Sequence, residues 1–193
     1  MARHAEFDRT KIVEKAMNQF WEKGYEATSV QDLTEAMGIK PGSLYNTFQD
    51  KHTLFLEALD RYRATEGSYL FEQLAKSKSG KEGITIFFDG LIDQLISDPD
   101  NRACFILNST LEMASHDPEV AERVRESTQS GEEVFRLAVE SGQAAGEIRA
   151  ELDARTAAAY LVSMVKGIQV SAKAMPQRDY LMAIVKVGLS VLG

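Results

Sequence analysis

A short stretch near the start of the chain combines small side chains with hydrogen-bonding ones. Its members are Lys40, Pro41, Gly42, Ser43, Tyr45, Asn46 and Thr47. An amide such as that of Asn46 can pair with a base edge, and the methyl group of Thr47 can contact a thymine methyl. Because the major groove of DNA is only about 12 Å wide, a helix that enters it must be slim at its outer end. For Asn46 and Thr47, the residue types leave base contact and the absence of base contact equally open.

A second group of residues has the chemistry to bind phosphates. Tyr45 can reach a phosphate with its hydroxyl while its ring braces the helix. Lys51 is expected in the first turn of the following helix, where its ammonium and the free N–H groups would form a phosphate-binding corner. Thr28 and Ser29 are expected to do the same on an earlier helix, and an ordinary solvated lysine is the alternative for Lys51. A basic arm along the DNA backbone or minor groove is predicted from Arg3, His4, Arg9 and Lys11.

The single cysteine, Cys104, is the other candidate for chemistry. A helix N-terminus and a nearby cation such as Arg102 stabilise a thiolate, which is the reactive form. The alternatives are a small buried hydrophobic residue and the nucleophile of an enzyme, which needs a histidine base close by. The histidines, His4, His52 and His116, fall in the arm, in a helix and at a helix end. No enzyme is therefore predicted.

Helical periodicity runs through the chain from end to end, without a clear strand pattern. The first helix is expected after Asp8, and Gly38 should end a short second helix. Pro41 suits the first turn of a third helix, because its missing N–H has no partner there in any case. Two short helices joined through Gly38 have the spacing of a helix-turn-helix. We predict an all-α fold with about nine helices.

One ordered set of residues between positions 20 and 55 matches a known pattern. These residues are Phe20, Gly24, Tyr25, Ala27, Thr28, Ser29, Val30, Asp32, Leu33, Ala36, Gly38, Ile39, Pro41, Gly42, Ser43, Leu44, Tyr45, Phe48, Lys51, Leu54 and Phe55. They resemble the signature of the TetR family of transcription regulators. The resemblance implies a helix-turn-helix DNA-binding domain over residues 1–50, a connecting helix over 51–76, and a ligand-sensing and dimerisation domain over 77–193.

The resemblance also implies partners. They are double-stranded palindromic operator DNA, a second copy of the chain bound through the last two helices, and a small-molecule or electrophile inducer. With these partners the chain would be a ligand-responsive repressor. The last two helices are unusually apolar, which fits a four-helix interface or else a buried internal hairpin. Candidate ligand-binding residues are Phe87, Leu91, Leu107, Asn108, Leu111, Tyr160 and Met164, for which plain core packing is the alternative.

Two further stretches resemble a subgroup of the family that senses electrophiles and oxidants. Residues 102–108 carry Cys104 at the position of the sensing cysteine. Residues 167–173 end on Lys173, which matches a lysine thought to support that cysteine. Ala103 departs from the subgroup, in which glycine is common at this position. The resemblance implies that modification of Cys104 releases the protein from DNA.

Composition limits which partners, location and metal sites are expected for this chain. The 193 residues carry a net charge of -7, and residues 1–63 hold nine Lys and Arg against ten Asp and Glu. DNA affinity would then depend on where a few cations lie, and a dimeric module without DNA binding stays an alternative. No signal segment or membrane span is recognisable, so we expect a cytoplasmic protein. Glu112 and His116 stand one helical turn apart, but two ligands do not define a metal site, and neither a metal nor a cofactor is expected.

Overall fold

The computed structural model describes the backbone of residues 2–193 and the side chains of residues 9–193. Within this range the chain forms ten α-helices, no strand, and a final 3₁₀ turn over Ser190–Leu192. The helices are α1 (Ala2–Lys23), α2 (Val30–Met37), α3 (Pro41–Phe48), α4 (Lys51–Ala64), α5 (Tyr69–Ala75), α6 (Gly80–Ser97), α7 (Phe105–Glu112), α8 (Pro118–Ala144), α9 (Ala154–Ala174) and α10 (Arg178–Leu189). The all-α class predicted from the sequence is confirmed.

Local signals in the sequence place several helix ends. Ser29 and Asp32 form a reciprocal capping box at the start of α2. Gly38 ends α2 in the left-handed conformation, with a φ of 70° that costs glycine little. The carboxylates of Asp50 and Asp153 accept hydrogen bonds from backbone N–H groups in the first turns of α4 and α9.

The connecting helix expected over residues 51–76 is interrupted. α4 ends at Ala64, and α5 begins at Tyr69, which makes α5 an additional helix relative to the expected nine. Thr65 leaves helical geometry with a φ of -124°, and its hydroxyl donates to the carbonyl of Arg61 at 2.9 Å. Side-chain bonds of this kind compete with the helix, and the glycine and serine that follow have low helix propensity.

The chain divides into two compact units, and their composition differs from the three predicted segments. The first unit joins Met1–Glu66 to Phe105–Val124, and the second joins Gly67–Cys104 to Arg125–Gly193. Residues 105–124 belong to the first unit for a physical reason. The buried ring of Phe105 packs edge-on against Phe55 and Tyr62, with ring centroids 5.6 and 5.8 Å apart.

The second unit has a core of its own, formed by α5, α6, α9, α10 and most of α8. Four phenylalanines, Phe71, Phe87, Phe88 and Phe135, lie in mutual ring contact with centroids 4.8–6.0 Å apart. Aliphatic side chains of α9 and α10 complete the core, which gives this unit a continuous apolar interior of its own.

Candidate nucleic-acid interface

Helix α3 buries one side and exposes the other. Leu44 and Phe48, four residues apart, are almost completely buried and anchor the helix. The ring of Tyr45 is 51% exposed. The other DNA-binding residues predicted in this stretch are also exposed, namely Lys40, Pro41, Gly42, Ser43, Asn46 and Thr47. The structure therefore places this set along the exposed side of one helix, from its N-cap to its last turn.

Gly42 leaves open space at the exposed end of α3. A methyl group added at Gly42 would meet no atom within 4 Å. The small residue is therefore not required by packing inside the chain. A slim end of this kind allows the backbone of the helix to approach an external surface closely.

The phosphate-binding corner predicted around Lys51 has a defined geometry. Lys51 is the first residue of α4, and its ammonium lies over the ring of Tyr25, 4.2 Å from the centroid. The Asp50 carboxylate caps the same helix by accepting from the N–H of Thr53 at 2.7 Å, which lowers the pKa of that carboxyl below its usual value. Burial raises the pKa of Tyr25, so its phenol is neutral near pH 7.

The two residues predicted to bind phosphate at α2 behave differently from each other. Thr28 is completely buried, and its hydroxyl donates to the carbonyl of Gly24 at 2.6 Å. It shapes the turn before α2 and does not offer its hydroxyl to a ligand. Ser29 is exposed, and its hydroxyl accepts from the N–H of Asp32 at 3.0 Å. Only Ser29 of this pair lies at the surface.

Among the side chains that the structure describes, the predicted basic arm does not form an element separate from α1. The guanidinium of Arg9 bonds the Glu57 carboxylate at 2.6 Å and lies over the ring of Phe48 at 4.7 Å. Arg9 therefore packs α1 against α3 and α4. Lys11 is exposed on α1, whereas the side chains of Arg3 and His4 lie outside the described residues.

Sequence reasoning missed a polar connection made by Glu112. Its carboxylate accepts from the N–H groups of Tyr25 and Glu26 at 2.9 and 2.8 Å, in the turn that joins α1 to α2. The sequence had suggested a polar helix end at Glu112 and His116, with a shared metal as the alternative. That imidazole instead contacts the Ser115 hydroxyl, and residues 9–193 hold no cluster of three potential metal ligands. The one sequence signal for the true role is an acidic residue at the end of a short helix.

Cys104 is partly buried and directly precedes α7. Ala103 before it adopts a left-handed conformation with a φ of 58°, which costs a residue with a Cβ roughly 1–2 kcal/mol. Lys173 donates from its ammonium to the carbonyl of Asn101 at 3.2 Å, and the Asn101 amide donates back to the carbonyl of Lys173 at 3.2 Å. The charge of Arg102 is balanced by Asp98 at 3.3 Å.

The predicted ligand-binding residues do not lie in a single compact unit. Phe87, Leu91 and Met164 are buried in the core of the second unit, and Tyr160 is partly exposed there. The remaining candidates, Leu107, Asn108 and Leu111, belong to the first unit. Leu111 is 73% exposed, which does not suit the lining of a closed pocket.

Among the residues that the structure describes, no helix is both long and apolar enough to cross a bilayer.

Comparison with known proteins agrees with this geometry. The family model "Bacterial regulatory proteins, tetR family" matches residues 12–58, and the model "Tetracyclin repressor-like, C-terminal domain" matches residues 80–187. The uncharacterized regulator YezE of Bacillus subtilis is 34% identical over 100% of both chains. The repressor ComR of Escherichia coli is 31% identical over 92% of this chain and 85% of its own.

A solved structure extends the likeness to the whole fold. The TetR-family regulator CifR, solved as a cysteine mutant with a 26-base-pair double-strand operator, has a TM-score of 0.85 and 30% identity. That match covers 96% of this chain and 97% of CifR. The relatives are DNA-binding transcriptional regulators and not enzymes. The chain belongs to the TetR family of bacterial transcriptional regulators.

Proposed function

We propose that this protein is a ligand-responsive repressor that binds palindromic operator DNA as a homodimer and is released by a small molecule or by modification of Cys104. The exposed, slim and polar end of α3 carries the DNA-binding part of the proposal. ComR is a repressor, and CifR was solved with operator DNA, which supports the same role for this chain. In this role α3 enters the major groove.

The exposed residues of α3 and α4 divide into two roles on DNA. Asn46 and Thr47 read base edges, because their side chains are exposed on α3 next to the anchoring Phe48. Tyr45 and Lys51 bind phosphates, which fixes the position of α3 without reading sequence. Specificity and affinity should therefore respond to different substitutions.

Separate substitutions test this division. The probe is the palindromic duplex that wild-type protein selects from a random library, called the selected duplex below. Lys51→Ala and Tyr45→Phe should weaken binding by similar factors on all sequences. Because the homodimer carries Lys51 twice and each lost phosphate contact lowers the slope of log affinity against log salt by about 0.9, Lys51→Ala should lower that slope by about 1.8. Asn46→Ala should instead reduce the discrimination between the preferred base and the other bases at one position by about 1–3 kcal/mol. Fluorescence anisotropy across salt concentrations and a repeated selection measure both effects.

Lys76→Ala is the matched control for charge, because Lys76 is an exposed lysine of the second unit. It should leave the salt slope unchanged. A uniform loss of affinity from Asn46→Ala, with the preferred sequence unaltered, would move Asn46 to the phosphate-binding group. Binding by wild type that is independent of salt would refute the phosphate contacts altogether.

An apolar face on the last two helices supports the homodimer. On α9, Ala159, Ser163, Gly167 and Val170 recur at intervals of three or four residues and are exposed. A methyl group added at Gly167 would meet no atom within 4 Å, so this face is open to close approach by another helix.

Helix α10 continues this exposed face. Tyr180, Ala183 and Val187 follow the same spacing along α10 and are exposed. Gly188, in contrast, packs inside the chain against Met164. The internal packing of α9 and α10 therefore leaves one apolar side uncovered. A symmetry-related copy would cover it in a four-helix interface, and two-fold symmetry in turn requires a palindromic operator.

The release mechanism rests on the surroundings of Cys104. Arg102 is paired with Asp98, whereas the ammonium of Lys173 donates to the carbonyl of Asn101, three residues before Cys104. The proposal therefore assigns Lys173, rather than Arg102, as the cation that supports the thiol. CifR was also solved with operator DNA after three of its cysteines had been replaced, and by analogy we propose that Cys104 is not needed for binding itself. Modification of the thiol, rather than its absence, would then be the signal.

A noncovalent inducer is the second route to release. Phe87, Leu91 and Met164 form part of the apolar interior of the second unit and are the proposed contacts for an apolar ligand. Tyr160 adds a phenol that donates to the carbonyl of Gly188 at 3.3 Å. A ligand bound by these groups would be largely hydrophobic with one or two polar atoms.

A further inference from the structure

We propose that Glu112 is a positioning residue for DNA binding, which holds the turn between α1 and α2 so that Tyr25 presents Lys51 to a phosphate. The inference rests on the proposed function, since it assigns a role in operator binding. It concerns a residue that lies more than sixty positions after the recognition helix in the sequence.

The carboxylate of Glu112 bonds two consecutive backbone N–H groups. It accepts from Tyr25 at 2.9 Å and from Glu26 at 2.8 Å. Hydrogen bonds to an ionised acceptor are shorter and stronger than neutral ones, and two of them fix the orientation of the turn. Gly24 shows how closely the groups approach, because a Cβ there would lie 2.8 Å from the carboxylate Oε2.

The α1–α2 turn also determines where the ring of Tyr25 lies. That ring packs against Phe55 with centroids 4.9 Å apart and carries the ammonium of Lys51 on its face, 4.2 Å from the centroid. A cation on an aromatic face is attracted by the negative charge of the ring face, which biases the position of a flexible lysine. Glu112, Tyr25 and Lys51 therefore form one connected series within the first unit.

Other polar contacts tie the same segment to α4, and of the two pairs below only His52 also contacts the ring of Tyr25, with centroids 6.3 Å apart. The ring of His52 lies 2.6 Å from the Asp117 carboxylate, and Arg123 bonds Asp60 at 3.1 Å. These contacts attach residues 105–124 to α4. Loss of the Asp60 carboxylate removes one negative charge from the unit, as loss of the Glu112 carboxylate does. Asp60→Asn is therefore a matched control for Glu112→Gln.

The test combines Glu112→Gln with Lys51→Ala on the selected duplex. Glutamine has the size of glutamate but offers one acceptor, so one of the two bonds is lost. We expect Glu112→Gln to weaken binding about tenfold and to lower the salt slope by about as much as Lys51→Ala does. The double variant should bind like Lys51→Ala alone, because the two residues act in series. Asp60→Asn should keep the wild-type slope.

Hydrogen exchange at the Tyr25 and Glu26 amides, without DNA, gives a readout that does not depend on operator binding. We expect faster exchange at both amides in Glu112→Gln, in a protein that is otherwise folded. Faster exchange together with wild-type affinity and salt slope would overturn the positioning role, and so would additive losses in the double variant. Absence of salt-dependent binding by wild type would instead overturn the proposed function, and the inference with it.

Discussion

Replacing Val187 with aspartate is expected to dissociate the homodimer and to lower affinity for the selected duplex by about a hundredfold or more. Val187 is 73% exposed on α10, in line with Tyr180 and Ala183. A two-fold interface presents every substitution twice, so two carboxylates would face each other in a region without partners for them. An unpaired buried charge costs several kcal/mol, whereas about 1.4 kcal/mol already changes an equilibrium tenfold.

Sedimentation velocity at micromolar concentration measures the dimer, and anisotropy measures binding to the selected duplex. Leu137→Asp is the matched control, because Leu137 is also exposed and apolar but lies on α8. It should leave both measurements unchanged. A Val187→Asp protein that stays dimeric would exclude this part of α10 from the interface, and a monomeric wild type would remove the homodimer from the account.

Treatment with N-ethylmaleimide is expected to weaken binding of wild type to the selected duplex by at least about tenfold, and to leave Cys104→Ser unaffected. Cys104 directly precedes Phe105, whose buried ring packs against Phe55 and Tyr62 of α4. An adduct adds bulk next to this packing, and α4 carries Lys51 at its first turn. Release requires that the modified state disfavours the DNA-bound geometry by about 1.4 kcal/mol for each tenfold loss.

The extent of labelling by mass spectrometry must accompany each affinity measurement. Full affinity of a protein whose Cys104 is completely labelled would show that the thiol is not a switch, and a noncovalent ligand would then be the inducer. Under the proposal that the ammonium of Lys173 supports the thiol, Lys173→Ala should slow the labelling. An unchanged rate would leave Lys173 with the structural role of its bond to Asn101.

The helix-turn-helix could be predicted closely from the sequence because its signals are local. Capping residues, a left-handed glycine and Pro41 determine where α2 and α3 begin and end, independently of distant contacts. The exposed set on α3 follows from the same local periodicity, since burying Leu44 and Phe48 leaves the residues between them outside. The interruption after Ala64 could not be predicted, because a helix can either continue through residues of low helix propensity or end at them.

Contacts distant in sequence could not be predicted. The pairing of Glu112 with the α1–α2 turn joins residues more than eighty positions apart, and no spacing rule connects them. The inclusion of residues 105–124 in the first unit has the same origin. Thr28 was expected to bind phosphate at the start of α2, but its side chain is completely buried and its hydroxyl donates to the carbonyl of Gly24. Arg9, expected in a basic arm on DNA, similarly forms an ion pair with Glu57 and lies over the ring of Phe48.

Hydroxyl-radical footprinting of the wild type on the selected duplex tests the central claim most directly. The account predicts two protected patches related by a two-fold axis, with centres about 34–36 Å apart along the duplex, as two α3 helices in successive major grooves require. Half of the duplex should bind far more weakly than the whole. A single asymmetric patch, equal binding of the half and the whole duplex, or no protection at all would contradict it.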